Sequence, residues 1–565
     1  MPGARHLLIG LDGAGLDIVR GFGAERLPEL HRCLARGACA ALRSVQPPAT
    51  LPNWITLLTG DNPGRHGVFD FTTRRGYRVR FSAGSVRATP TLAARMDRAG
   101  LACACLFFPG TFPPERLQHG VFASGWDSPV AFEADRSFVW PPQFYDRLRA
   151  RFGPLHFDDV DEFDAGSAGF HGRLPDALCA RIERRAQLGC WLLGERAFEL
   201  FAIYFGESDT AAHHLWPLHD AGSPRRPAHV TPEAQSGLLR VYQALDRAVG
   251  KLLAAAGGEG VELSIVSDHG SGGASDKVLY LNRALAAAGF LRFRPASRAQ
   301  GALRLAKDLA LTRLPPAARE RLFRAGGAFL PSWLESRARF SSIDMRGTRV
   351  FSDELNYFPA LHFNLRGREP QGQVAAADRP RLLRELADFC ASLRDPWNGQ
   401  RVVERFWPRE ELYTGPHVER APDVLLELAL SDGYSYNLMP SASAPPGAAV
   451  FRKLEPAEYL GRKGRSLPGS HRARGVFIAC GPSVAPCGEI DAAMADVSAT
   501  LLARARLSGL HASDGRVLSE LLREPVAQST APAAISGEPV APAEPLAAAG
   551  EARVAARLRR LGYIE

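Results

Sequence analysis

Several things are missing from this 565-residue chain, and each absence narrows the reading. There is no CxxC pair. The nine cysteines (Cys33, Cys39, Cys103, Cys105, Cys179, Cys190, Cys390, Cys480 and Cys487) are scattered, and an odd count fits poorly with a secreted disulfide framework. No run of about eighteen apolar residues lacks charge or turn residues, so no membrane span is expected. The start, "MPGARHLLIGLDG", goes almost directly into a strand, without the apolar segment and small-residue cleavage site of a signal peptide. A reducing cytoplasm is the expected compartment. Lysine is scarce. Nearly all of the positive charge behind the net +9 and the pI near 9.2 is arginine, spread along the chain. That spread favours a compositional bias over a dedicated anion-attracting surface. No basic run carries interleaved aromatics, so no nucleic-acid partner is expected.

What is present is an ordinary globular balance, 46% apolar and 23% charged, in strands alternating with helices. "HLLIGLDGAG" (6–15) is a short apolar run ending in Asp and glycines, the pattern of a buried strand leading into a loop. Helical spacing follows at 24–37 and 89–99, and strand-like runs at 101–107 and 120–124. A long amphipathic stretch covers 177–198, "FELFAIYFG" (198–206) reads as a buried strand, and 236–257 is helical with a Gly stop. "VELSIVSDHG" (261–270), 349–366, 423–428 and "RGVFIACGP" (474–482) supply further strands. This alternation predicts an α/β fold, a mostly parallel central sheet flanked by helices on both faces. The expected organisation is a first catalytic part over 1–290, an inserted basic helical cap over 291–345, and a second catalytic part over 346–524. A Pro/Ala-rich linker with a short helix then fills 525–565. A membrane-surface role for 291–345 ranks below the cap.

In open α/β sheets ligands bind beyond the carboxyl ends of the strands. The predicted strand ends carry Asp12, then Asp209, His213 and His214 in "GESDTAAHHLWP", then Asp268 and His269, with His471 in "LPGSHRARG" just before the last strand. Singly, each has a bland reading. Asp12 before Gly forms turns, Asp209 caps a helix, Asp-His-Gly makes a turn, and His471 sits in a loop. Together they put more ionisable groups at strand ends than packing requires. Imidazole with carboxylate suits Zn²⁺ and its neighbours. Asp209 and His213, four apart, share one helical face. "PPATLPNWITLLTG" (47–60) places a hydroxyl, Thr50, at the mouth of a helix behind two prolines. It is either a helix cap or a nucleophile at the positive end of the helix dipole.

In this order "GLDGAG", "ATLPNW", "DTAAH", "SDHG" and "GSH" resemble the alkaline phosphatase superfamily, specifically its type I phosphodiesterase/nucleotide pyrophosphatase branch in its prokaryotic phosphohydrolase form. The resemblance runs over about residues 6–522. "TGDNPGRHGVFDF" (59–71) is similar to the branch's Pro-x-x-His-Gly element, and "FNLRGREPQGQV" (363–374) and "SDGRVLSELL" (513–522) look like segments of its prokaryotic members. The resemblance implies two divalent metal ions, zinc first with Mn²⁺ as the alternative. Asp209, His213 and His471 would hold one ion, and Asp12, Asp268 and His269 the other. Thr50 would attack phosphorus to give a phosphothreonine that water hydrolyses, and Asn53 would donate to a phosphate oxygen. His213 is chosen over His214 on the D-x-x-x-H spacing alone, and His66 is taken as structural.

The expected function is therefore a metal-dependent phosphoesterase, foremost a phosphodiesterase acting on a phosphate-ester small molecule or headgroup. Animal members carry Lys before the nucleophile where this chain has Ala49, so their nucleotide specificity is not carried over. A sulfatase would need Cys or Ser in C/S-x-P-x-R, and a cofactor-independent phosphomutase a Ser nucleophile. A phosphonate or phosphomonoester hydrolase of the same superfamily is the nearest rival. A non-catalytic binding descendant is the rival of a different class.

Overall fold

The structure is a computed structural model, and it describes residues 3–81, 87–125, 136–153, 169–295, 340–354, 359–444, 447–461, 466–505 and 514–524. The bulk of the expected cap, 296–339, and the whole tail from 525 lie outside the described residues. What is described of 291–345 is its two ends, which pair with each other. Phe293 bridges Ile343, and the Arg294 N–H donates to the Ser342 carbonyl at 2.8 Å.

A nine-stranded sheet forms the core. Its spatial order is Gly488–Glu489, Ala38–Arg43, Arg474–Cys480, Glu262–Val266, Ala4–Leu11, Phe198–Phe205, Cys103–Leu106, Val121–Ala123 and Val139–Trp140. The first strand lies near the middle, parallel to Phe198–Phe205 on one side and to Glu262–Val266 on the other. That position explains its unbroken apolar run, because a strand covered on both faces has no solvent side to make polar. The sheet is parallel except at Arg474–Cys480, which runs antiparallel to both neighbours, and at Val139–Trp140.

Alternation along the strands assigns the helices to faces. Gly10 and its register partner Tyr204 point to the helix Thr50–Thr59. A Cβ on Gly10 would lie 2.8 Å from the Trp54 ring, and the Trp54 and Tyr204 rings meet edge to face at 5.3 Å. Phe201 and Ile203, of opposite parity, lie against Gly189 of the long helix Phe170–Glu195. That helix starts ahead of the amphipathic stretch and runs through Pro175. Both faces of the sheet are thus covered, as the sequence pattern requires.

The chain between 350 and 428 builds a second, antiparallel sheet from Val350–Ser352, Ala360–Phe363, Val424–Leu428 and Val403–Pro408. It has its own apolar core around Phe351, Leu361, Phe363, Leu382 and Leu386. The strand Gly270–Leu279 reaches toward it from the main sheet. Its first residues pair with Gly469–Arg472 and its last with Ser435–Leu438 and Phe451–Lys453.

Candidate metal centre

The six Asp and His residues predicted from strand ends come together as two buried trios, Asp209–His213–His471 and Asp12–Asp268–His269. Within each trio the nearest ligand-type atoms all lie within 4.8 Å of one another. The rings of His269 and His471 stack with centroids 3.6 Å apart, so the trios adjoin. The helix Glu207–His219 delivers Asp209 and His213 from the end of one strand. The strand Glu262–Val266 delivers Asp268 and His269, and the short strand Gly469–Arg472 delivers His471 opposite Ser271. A Cβ on Gly469 would sit 2.1 Å from the Ala212 carbonyl, so only glycine lets that strand approach the helix. Gly13, at φ +66, turns the chain after Asp12 in the left-handed region glycine tolerates. A side chain there would press on Asp209 and Ser271 at 2.9 Å.

All three histidines present the same nitrogen. The Nδ1 of His213, His269 and His471 lies 3.1, 3.0 and 2.9 Å from the carbonyls of Gly469, Gly270 and Pro48. A carbonyl only accepts, so each Nδ1 carries the proton and each Nε2 keeps its lone pair. The Nε2 atoms of His213 and His471 then face each other at 3.0 Å, with Asp209 Oδ1 3.3 and 3.6 Å from them. In the second trio His269 Nε2 lies 3.1 Å from Asp268 Oδ2 and 3.5 Å from Asp12 Oδ1. None of those three buried atoms has a hydrogen-bond partner. Electron pairs converging in this way, without protons between them, are stable around a cation.

The electrostatics agree. Burial, then the charge of Asp209, pushes the Asp12 carboxyl up to about 8 against the hydrogen bonds from Tyr204 and Trp54. Burial, then Asp12 and Asp209, raises Asp268 well above the usual range. Burial lowers His269 to about 4 and His471 well below its usual value. Burial also raises Asp209, but His213 and His471 outweigh it, and the carboxyl lies below its ordinary value. Neutral imidazoles are the ligating form. A divalent ion would reverse the penalty on the carboxylates. The donor set, one carboxylate with two imidazoles and two carboxylates with one, fits Zn²⁺ and related borderline ions.

Thr50 is the first residue of the helix Thr50–Thr59. Ala49, in extended conformation, occupies the cap position and makes no side-chain cap hydrogen bond. The Thr50 hydroxyl is fully buried and its Oγ1 has no hydrogen-bond partner, so it does not cap the helix. Pro52 sits in the first turn, where a missing N–H costs nothing. His471 donates to the Pro48 carbonyl, which ties the loop before Thr50 to one trio.

Asn53 stands differently from the expected phosphate donor. Its Nδ2 donates to the carbonyls of Pro47 and Ala49 at 3.0 and 2.9 Å, and its Oδ1 accepts from the Val45 N–H at 2.7 Å. Both amide hydrogens thus hold the loop that approaches Thr50. His214 turns away from the trios toward Phe170 and His171. His66 bonds the Thr56 hydroxyl and the Val68 N–H, pinning the Pro-x-x-His-Gly element to the Thr50 helix. In "FNLRGREPQGQV", Arg368 grips Asp423 at 2.9 and 2.6 Å and Glu369 pairs with Arg74. The charge of that motif therefore holds the second sheet together. Sequence reasoning missed Tyr204, Trp54 and Ser267. Tyr204 and Trp54 donate to Asp12, and Ser267 donates to the His269 carbonyl while accepting from the Ala14 N–H. Of these, Trp54 and Ser267 lay within the quoted motifs "ATLPNW" and "SDHG", whereas Tyr204 lay only in an apolar strand run.

The sequence profile described as type I phosphodiesterase / nucleotide pyrophosphatase matches residues 6–443, a span that holds Thr50 and every trio member except His471. No curated protein sequence matches. Among solved structures, murine ectonucleotide pyrophosphatase/phosphodiesterase 5 is similar at 13% identity and a TM-score of 0.48, over 92% of this chain and 100% of that one. An inactive form of the murine protein in complex with AMP gives 14% and 0.48 over the same shares. The human protein gives 12% and 0.47, again over 92% and 100%.

Proposed function

The chain belongs to the type I phosphodiesterase/nucleotide pyrophosphatase family and is a hydrolase of phosphoric ester bonds, and from that premise we propose that it cleaves phosphodiesters with Thr50 as nucleophile beside two metal ions. The observation that carries the proposal is the buried Thr50 hydroxyl, unpartnered at the mouth of its helix, in a fold that gathers two Asp/His trios. Asp209, His213 and His471 would hold one ion, and Asp12, Asp268 and His269 the other. Bound there, two divalent ions would lower the pKa of the hydroxyl and neutralise charge on the phosphoryl oxygens. Zinc is the first choice on the donor set, with Mn²⁺ as the alternative.

The chain's own part is to place and to hold. Thr50 Oγ1 attacks phosphorus. The new bond is Oγ1–P, the broken bond is from phosphorus to the departing ester oxygen, and the hydroxyl proton ends on the departing alcohol. Water then cleaves the phosphothreonine, restoring the hydroxyl and releasing the phosphomonoester. The helix dipole aims its positive end at the phosphoryl group. Asn53 fixes the 45–49 loop behind the nucleophile. The substrate class is a small-molecule or headgroup phosphate ester. All nine cysteines are free, which fits a reducing compartment, and we place the protein in the cytoplasm on that ground. Among the described residues no helix is long and apolar enough to cross a membrane.

The test is paired hydrolysis of bis-p-nitrophenyl phosphate and p-nitrophenyl phosphate by metal-loaded protein, with Thr50→Ala as control. Diester cleavage that is lost in the variant supports the proposal. A preference for the monoester moves the assignment to a phosphatase with the same machinery. Turnover unaffected by the substitution refutes the role of Thr50.

A further inference from the structure

Asp12 offers its two oxygens to different surroundings. Oδ2 accepts from the Tyr204 hydroxyl at 2.6 Å and from the Trp54 indole N–H at 3.0 Å. Oδ1 has no hydrogen-bond partner and lies 3.5 Å from His269 Nε2. Two donors on one oxygen fix the carboxylate plane and direct the other oxygen into the trio. Trp54 is also one helical turn beyond Thr50, on the same face of the same helix. It is fully buried. Its ring sits edge to face against Tyr204 and Phe108, both at 5.3 Å, and lies over Gly10 of the first strand. A Cβ on Gly10 would come within 2.8 Å of the Trp54 ring and 3.0 Å of Phe108, so the glycine two residues before Asp12 makes the seat for the indole.

We infer that Trp54 and Tyr204 are positioning residues for a metal ion at Asp12, presenting Oδ1 alone to it, and that Trp54 locks the helix carrying Thr50 to that ligand. This rests on the two-metal reading above. An indole N–H on the nucleophile helix bonded to a ligand on the central strand sets the distance between nucleophile and ion. The pair Trp54–Asp12 does this with one buried hydrogen bond, while Tyr204, from the neighbouring strand, fixes which oxygen is offered. Hydrogen-bond partners behind metal ligands typically change metal affinity about 10–100-fold when removed.

The experiment measures Zn²⁺ stoichiometry by elemental analysis and Zn²⁺ affinity by chelator competition on the full chain, for wild type, Tyr204→Phe, Trp54→Phe and Asp12→Asn. Tyr204→Phe removes one hydroxyl and keeps the ring packing, so it serves even where Trp54→Phe folds poorly. The expected result is that Asp12→Asn loses one of two ions. Tyr204→Phe and Trp54→Phe still take up two, one of them about 10–100-fold more weakly. Raised free Zn²⁺ restores kcat in Tyr204→Phe, whereas Trp54→Phe, without its bond from the nucleophile helix to Asp12, keeps a lowered kcat when fully loaded. Wild-type affinity in Tyr204→Phe and Trp54→Phe, with an ion still lost in Asp12→Asn, overturns the positioning role and leaves the two-metal reading standing. Two ions held with wild-type affinity in Asp12→Asn overturn both.

Discussion

Thr50→Val separates the two roles a threonine can play at a helix mouth, because they predict opposite signs. Thr50 is fully buried, its Oγ1 has no hydrogen-bond partner, and Ala49 occupies the cap position. A buried hydroxyl without a partner costs about 1–3 kcal/mol, and the methyl that replaces it gains roughly 0.8 kcal/mol of apolar burial. Valine keeps the β-branch and the rotamer restriction, so the backbone has no reason to move. With chelator present, the variant is therefore expected to be more stable than wild type by about 1–3 kcal/mol, read from urea denaturation midpoints at unchanged m. In the metal-loaded protein the same change removes the nucleophile. Hydrolysis of bis-p-nitrophenyl phosphate should fall by at least about 10⁴-fold, a ΔΔG‡ of roughly 5.5 kcal/mol. A cap would behave the other way, with stability lost by about 1 kcal/mol and turnover kept. A Thr50→Val protein that is destabilised and still active would refute the reasoning.

Chelation should abolish turnover, and added Zn²⁺ should restore it. It should also lower Tm in scanning calorimetry, since an ion held only by the folded chain contributes about 2.7 kcal/mol at a hundred times its Kd. Two metals per chain should fall to one in His213→Ala and remain two in His214→Ala, because the His214 ring faces Phe170 and His171 instead of the trio; elemental analysis decides. Asp423→Asn should cost about 1–3 kcal/mol at pH 7 by urea denaturation, since it weakens the two bonds from Arg368 while leaving that guanidinium its pair with Glu369. Burial raises the Asp423 carboxyl but Arg368 outweighs it, so its folded pKa lies below the ordinary value. Its contribution is present above the unfolded pKa of about 4 and is lost as pH falls toward the folded value. Wild-type stability should consequently drop more steeply below about pH 4 than that of Asp423→Asn.

The class of fold was readable because burial on both faces leaves a strand no polar alternation. Ala4–Leu11, Phe198–Phe205 and Glu262–Val266 announce themselves as apolar runs, and helices must fill the chain between parallel neighbours. The antiparallel insertion of Arg474–Cys480 was not readable, since direction leaves no mark on an apolar run. Candidate ligands were readable because strand ends are where polar side chains have no packing reason to collect. Residue type and position marked these residues; their division into two sets came only with the family resemblance, and the structure gathers the same two trios.

Residue types and spacing alone determined that this chain would form an α/β sheet edged with Asp, His and one proline-flanked threonine, for those are local consequences of burial and turn chemistry. Only the tertiary structure decided which of them meet. It brings His471 to Asp209 on a strand paired with Gly270–Gly273 from far earlier in the chain, turns His214 aside, and commits both amide hydrogens of Asn53 to the backbone. It also turns Tyr204 and Trp54, two apparently ordinary core aromatics, into donors on Asp12. The physical reason is that hydrogen-bond partners and lone-pair directions depend on distances of a few ångströms between segments far apart in the chain. Periodicity along the chain does not encode those distances.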